Sequence, residues 1–294
     1  MTSSATVIAD SISEEGARIT SLHVYFPRIM LPEFNTHRVF SRNFRSSRAV
    51  PVAKLLEEVR NNPYEPIVWL KNQPGMQGGE PMTPEEIEVA RAEWRQAAKD
   101  AADHAEKLMK LGVHKQWANR GIETYLYVHG LVTSTQWSNF FTLRNHSAAQ
   151  PEMNDLAIKM RDAIAGSTPQ FLKAGQWHLP YIQEEDWNAV NSAPDETGDL
   201  AVTTLLKISA ARCARISYEP FDGDGSFEKE LQRYKLLIEN QPVHASPVEH
   251  QATPDFKYLD NEMGEMVWNN PKSHRNFVGW QQYRSFIPNE TIHD

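Results

Sequence analysis

The stretch Ile19 to Phe26 (ITSLHVYF) constrains the fold more than any other, because it is rich in β-branched and aromatic residues and alternates between apolar and polar ones. Period two suits a half-buried strand and cannot give a helix one apolar face. Val7 to Ala9 reads the same way, with Ser11 to Gly16 as the turn between two strands. A different signal begins at Thr83, where Thr83, Pro84 and Glu86 supply an N-cap, a pre-set first helical residue and the returning Glu of a capping box. Ile87, Ala90, Trp94, Ala97, Ala101, Ala105, Leu108 and Leu111 follow at helical spacing until Gly112 stops the pattern. Further helices are predicted over 116–122, 133–143, 151–165, 199–212 and 226–240, the last capped by Ser226, with loops over 63–84 and 191–198. The expected class is α+β, an antiparallel sheet flanked by long helices.

With 294 residues, 40% of them hydrophobic, the chain can bury a large core without metal or disulfide support. We expect one catalytic domain over 1–294, with 255–294 an extension packed on its body through Trp280, Tyr283 and Phe286. A net charge of -8 argues against general coating of nucleic acid, which needs surplus Lys and Arg. The single cysteine, Cys213, excludes an internal disulfide framework and a multi-cysteine zinc site. Apolar runs are far shorter than the ~20 residues that cross a bilayer, and Met1 to Asp10 lacks the basic and apolar regions of a leader. A cytoplasmic protein is expected.

Against this acidic background the segment from Thr36 to Arg48 (THRVFSRNFRSSR) holds four Arg, one His and no acid. Guanidinium groups bind phosphate bidentately, and Ser hydroxyls and loop amides complete the oxygen shell. A surface cluster paired with acids from elsewhere is the plainer reading. A second cluster joins Asn139, Leu143 and Arg144 on one helix to Ala149, Gln150 and Glu152, with Arg120 upstream. An Arg so near an apolar face needs either a buried partner or a ligand. A third holds Arg215, Ile216, Ser217 and Tyr218, then His244, Ser246, Pro247, Glu249 and His250. Its spacing matches no zinc helix, and Pro247 would break one, so no metal is assigned. Asp222 to Gly225 lacks the glycine of a calcium loop, since Phe227 stands there. Cys213 lies between Arg212 and Arg215, but on an alanine-rich helix it reads as packing.

Together these residues resemble the flavin-dependent thymidylate synthases. Thr36-His37-Arg38, seven residues, Ser46 and Arg48 are similar to that family's R-H-R-x7-S motif, with Thr for the first Arg. Leu143-Arg144-x4-Ala149-Gln150-x-Glu152 is similar to its L-R-x4-A-Q-x-E segment, and Ala118 to Arg120 to its A-R segment. Arg215 to Tyr218 and His244 to His250 are similar to its R-V-S-Y/F and H-x-[ST]-P-F-E-H blocks. The blocks occupy 19–49, 114–165 and 208–254, in an order that resembles a circular permutation, because the last two come first in the ordinary family.

The resemblance implies that Ser46, Ser47, Arg48 and Arg120 grip the phosphate of dUMP, and that Arg144, the catalytic candidate, reaches its uracil. It implies FAD contacts at His37, Arg38, Asn43, Asn139, Leu143, Ser217, His244 and Ser246. It also implies NADPH as reductant, methylenetetrahydrofolate as one-carbon donor, and a homotetramer with sites between subunits. Thr36, Phe44 and Ala49 depart from the pattern and Pro151 follows Gln150, which leaves dTMP and another 5-substituted deoxyuridylate, such as a hydroxymethylated one, as alternative products. The alternative of another class is a nucleic-acid-binding module built on the Arg-rich segment, with Phe40 and Phe44 for stacking.

Overall fold

The computed structural model describes residues 3–192, 201–216, 223–262 and 264–291. Strands β1 (Ser4–Ser13) and β2 (Arg18–Pro27) form the expected hairpin, each longer than its sequence signal. Its turn is closed by Ser13 N donating to Ala17 O at 2.9 Å, with Gly16 at φ +75°. The short strand β3 (Ser41–Phe44) pairs with β4 (Tyr127–Ser134), and β4 pairs with β2 over eight residues. The order is β3-β4-β2-β1-β5, and the edge strand β5 (Gln170–Leu172) corrects the all-antiparallel expectation by lying parallel to β1.

The helices are α1 (Leu31–Phe34), α2 (Val52–Asn61), α3 (Pro84–Lys110), α4 (Lys115–Ala118), α5 (Ser138–Arg144), α6 (Pro151–Ala165), α7 (Glu184–Ser192), α8 (Ala201–Arg215) and α9 (Phe227–Tyr234). The capping box of α3 is complete: Thr83 N donates to Glu86 Oε2 at 2.8 Å and Glu86 N to Thr83 Oγ1 at 3.3 Å. Its buried stripe differs from the expected one. Ala98, Ala102 and Ala105 pack on Val52, Leu55, Leu56 and Val59 of α2, while Leu108 and Leu111 are 38% and 78% exposed. Small side chains let the two helices approach closely, so the contact runs along alanines rather than the larger residues.

The helix expected over 133–143 is likewise split. Thr133 and Ser134 end β4, because Ser21 and Thr20 of β2 pair with them, and the helix begins only at Ser138. The segment 116–122 becomes α4 followed by a 3-10 turn to Tyr125, and the helix expected to reach Asn240 loosens into a π turn over Lys235–Glu239. The expected helix over 151–165 is α6. Asp199, and most of the polar connection over 191–198, lie outside the described residues.

Alternation along β2 sorts the sheet into two faces. Leu22, Val24 and Phe26, with Val128 and Val132 of β4, bury against Phe140 of α5 and Met153, Leu156 and Met160 of α6. The other face carries Ser21, His23 and Tyr25 beside Tyr127, His129 and Thr133. Part of it is covered where Leu131 packs on Tyr181, Cys213 and Ile216. Downstream of α9 the chain adds β6 (Ala252–Pro254), the hairpin of β7 (Lys257–Asp260) and β8 (Glu265–Trp268), and β9 (Trp280–Gln282), which pairs with β6. Trp280 and Tyr283 are buried, whereas Phe286 is half exposed against Trp177. No helix among the described residues is long and apolar enough to cross a membrane.

Gly130, at the centre of β4, lies beneath the ring of Phe44 on β3, and a Cβ there would overlap that ring. Gly130→Ala should therefore cost about 1–3 kcal/mol, the usual penalty of overpacking, and loosen β3. Urea denaturation checks it, and wild-type stability would show that the ring moves aside freely.

Candidate functional site

A cavity of about 880 Å³ opens on the polar face of the sheet. One wall is the strand-to-helix connection with Asn43, Ser46 and Val50; the opposite wall is the end of α8 and the α9 region, with Arg215, Ile216 and Leu237; His23 and His129 line it from the sheet. Segments far apart in sequence thus meet. Asn43 Nδ2 donates to Cys213 O at 2.6 Å, pinning β3 to the end of α8.

Most guanidinium groups here are compensated. Arg45 bonds Glu58 at 3.1 and 2.7 Å, and Arg215 and Arg233 share the buried Glu230 at 2.7 and 2.6 Å. Arg42 donates to the carbonyls of Asn35 and His37 at 2.7 and 3.0 Å. Arg38 and Arg48 are exposed and have no acidic partner among the described residues. Ser46 is also exposed, and its Oγ accepts from Arg48 N at 3.3 Å. Ser47 is buried; its hydroxyl donates to Glu123, and its carbonyl accepts from Asn119 Nδ2 at 2.8 Å. Glu123 also pairs with Arg120 and Arg28, both at 3.1 Å. Two of the four residues expected at the phosphate, Ser47 and Arg120, are therefore joined through one carboxylate, which sequence reasoning missed because nothing local marks it; Ser46 and Arg48 bond each other instead.

Arg144 lies elsewhere. It does not line the cavity; its Nε donates to His37 Nε2 at 2.9 Å and its Nη1 pairs with Glu33. His37 is packed among Phe34, Phe40 and Phe140. Burial, then the charges of Arg144 and Arg42, push its imidazole down to about 4, so it is neutral and accepts through Nε2. Asn139 and Leu143 are exposed on the same helix.

His244 and Ser246 are exposed on the loop after the π turn, where His244 N donates to Leu237 O at 2.8 Å beside the cavity. The block is held from behind: Gln282 Nε2 donates to Glu249 O at 3.1 Å and Ser41 Oγ at 3.2 Å, and Arg284 pairs with Glu249. His250 is fully buried with Nδ1 at 2.9 Å from Thr133 Oγ1. Ser217 lies outside the described residues. Cys213 is buried, and burial pushes its thiol up, away from the thiolate a nucleophile needs.

The fold is that of an α+β protein whose cavity joins an Arg- and Ser-bearing sheet edge to two imidazoles. The sequence profile described as "Thymidylate synthase complementing protein" matches residues 15–170, and the chain belongs to that family. Among solved structures, a UMP/dUMP methylase, PolB from Streptomyces cacaoi, bound with 5-Br dUMP, is similar at 18% identity over 55% of this chain and 90% of that one, with a TM-score of 0.45. The same methylase bound with 5-Br UMP gives 18%, 55%, 88% and 0.46. Thymidylate synthase X (ThyX) from Helicobacter pylori with FAD and dUMP is similar at 21% identity over 50% of this chain and 67% of that one, with a TM-score of 0.34. No curated protein matches the chain.

Burial lowers the imidazoles of His23, His37, His129, His178 and His250 below their ordinary 6.5, the last four to between about 3 and about 4. Below pH 6.5 the unfolded chain takes up protons that the folded chain refuses. Stability is therefore full above that pH and falls as the pH drops toward 4. Urea midpoints should be clearly lower at about pH 5 than at about pH 7.5, in the direction linkage requires; equal midpoints would mean these rings are protonated in place.

Proposed function

We propose that the protein is a flavin-dependent thymidylate synthase that converts dUMP to dTMP with methylenetetrahydrofolate and a reduced FAD recharged by NADPH. The observation that carries this reading is the pair of uncompensated guanidiniums, Arg38 and Arg48, in a family member of net charge -8, one of them beside a cavity of about 880 Å³. An anionic nucleotide is the ligand such a site complements. Ser46, Ser47, Arg48 and Arg120 bind its phosphate, with Glu123 holding Ser47 and Arg120 in place until the phosphate oxygens take over their protons.

Arg144 acts on the uracil. His37 and Glu33 fix two of its nitrogens and leave Nη2 without a partner among the described residues. A guanidinium held this way stabilises negative charge as it develops on a carbonyl oxygen, which makes C5 nucleophilic. His37 is thereby a positioning residue: its neutral lone pair sets the direction of Arg144. In this chain no cysteine attacks the base, in keeping with the buried, protonated thiol of Cys213.

The residues present fit a flavin. Within two positions of the His37–Arg144 bond, Leu143 and Val39 expose apolar surface (53% and 37%) beside the unpaired Arg38, which complements a flat apolar ring with an anionic tail. Arg38, Asn139 and Leu143 on one part of the surface, and Asn43, His244 and Ser246 on another, would hold it. When bound it supplies the hydride chemistry that turns a transferred one-carbon unit into methyl. Two such stretches favour a homotetramer in which neighbouring copies complete each site, and the block order favours a circularly permuted family member; action in the cytoplasm is part of the same proposal.

One observation supports a second product. Thr36, where the family carries Arg, spends its hydroxyl on Glu33 O at 2.7 Å and offers no cation. A 5-substituted deoxyuridylate other than dTMP is then the alternative, separated by the mass of the product.

Arg48→Ala should weaken dUMP binding by about 1–3 kcal/mol, the worth of a charge-assisted hydrogen bond, whereas Cys213→Ser should leave turnover intact. Calorimetric titration with dUMP checks the first, a dTMP-formation assay checks the second, and the visible spectrum of the purified protein reports bound flavin. A colourless protein that binds neither FAD nor dUMP would overturn the reading.

A further inference from the structure

We infer that His129, backed by His23 and Tyr181, is the base that removes the C5 proton of the pyrimidine, an inference that rests on the proposed reading of the cavity as a dUMP site. The three side chains form one hydrogen-bonded chain on the polar face of the sheet. Tyr181 OH lies 3.1 Å from His23 Nδ1, and His23 Nε2 lies 3.0 Å from His129 Nδ1, the two rings at right angles. His129 Nε2 has no hydrogen-bond partner among the described residues, and His129 and His23 both line the cavity.

Elimination points the same way. Among the described residues lining this cavity there is no Asp or Glu, and Arg45, Lys54, Arg215 and Arg233 are side chains that donate rather than accept. The two imidazoles are the only neutral bases there. Burial, followed by the charges of His23, Arg45 and Lys54, lowers His129 to about 4, and burial lowers His23 as well. Both are therefore unprotonated before a nucleotide enters, and a phosphate dianion in the same cavity raises their affinity for a proton. Tyr25 of β2 packs against the His129 ring, the two centroids 4.7 Å apart and the planes tilted by 43°.

The far end of the chain is built at a cost. Tyr181 is fully buried with φ +61°, a conformation a bulky residue rarely adopts. Helix α8 holds it there. Ser209 Oγ donates to Pro180 O at 2.7 Å, and Arg212 Nη1 to Tyr181 O at 2.7 Å, while Arg212 is itself paired with Asp186 at 2.6 and 2.8 Å. A strained residue anchored on both sides directs its hydroxyl to His23.

The step balances within the pair of imidazoles. Once C5 has bonded to the one-carbon unit, the C5–H bond breaks, its electron pair re-forms the C5=C6 double bond, and the proton goes to His129 Nε2. In the receptive tautomer His129 Nδ1–H donates to His23 Nε2, and His23 Nδ1–H donates to the Tyr181 oxygen. The positive charge is thus shared by two rings and steadied by a phenol. It leaves as a proton to solvent through the open cavities of about 380 and 460 Å³ that His129 also lines.

The test uses the full chain with dUMP deuterated at C5, reduced FAD and methylenetetrahydrofolate, reading release of deuterium to water and, separately, dUMP affinity. His129→Phe should keep affinity within about threefold while deuterium release falls at least 100-fold, the lower range for loss of a general base. His23→Gln should give a smaller fall, and Tyr181→Phe should shift the pH profile of release. Wild-type release in His129→Phe, or affinity and release falling together in a folded His23→Gln, would overturn the inference and leave the dUMP reading standing. Wild-type protein that binds no dUMP, or binds it and releases no deuterium, would overturn that reading and the inference with it.

Discussion

Strand β2 is the element on which the rest of the molecule depends, because its side chains must serve two environments at once. Leu22, Val24 and Phe26 enter the core beneath α6, while Ser21, His23 and Tyr25 face the polar side. Since successive strand residues point to opposite faces, a slip of one position would expose the core set and bury the histidine in its place. Eight paired positions with β4 and eight with β1 fix the register from both sides. The same alternation in β4 sets Gly130 against Phe44 and His129 against the cavity, so packing on one face determines the chemistry presented by the other.

Charge is distributed to leave little of it free where β3 meets α8. Glu58, Glu123 and Glu230 each take up guanidinium from Arg45, from Arg120 and Arg28, and from Arg215 and Arg233. Glu230 is wholly buried, and removing it would take from Arg215 and Arg233 an acidic partner they share, in a place where several kcal/mol are at stake. These pairs fix geometry around the cavity more than they add stability. Arg38 and Arg48 contribute to the positive field that remains, and their exposure keeps their desolvation cost low.

The sequence was most informative where the causes of structure are local. The β1–β2 hairpin follows from alternation and a glycine turn, the start of α3 from three adjacent capping residues, and α6 from its periodicity between Pro151 and Gly166. It was least informative where partners are distant. Helix α2 has no side-chain cap to mark its start; Val52, Leu55, Leu56 and Val59 recur at helical spacing, and the alanines of α3 with Ala118 and Ile122 are the distant partners that face them. Thr133 and Ser134 are helix-neutral residues drawn into a strand by β2. In the site, the Arg-rich motif was plain from composition, but Glu123 and the His23–His129 contact exist only through strand pairing and have no spacing by which to be found.

The order in which these segments follow one another along the chain matters little to the cavity. Nothing in the cavity requires that Asn43 precede Arg215 or that His244 follow both; it requires only that their strands and loops be held together. Two kinds of link do this. Asn43 bonds the last turn of α8 directly, and Gln282, 1% exposed, donates from one amide nitrogen to Ser41 within the Arg-rich segment and to Glu249 in the His244–His250 block. Asn276 adds bonds to Val39 O and Ser41 Oγ, both at 3.1 Å. A buried amide bridging two segments loses several hydrogen bonds if either segment moves, and each unmade bond there carries a desolvation penalty. The C-terminal stretch thereby supplies by hydrogen bonding the proximity that direct chain connection would otherwise provide, and the relative placement of the blocks is fixed by the fold rather than by their order.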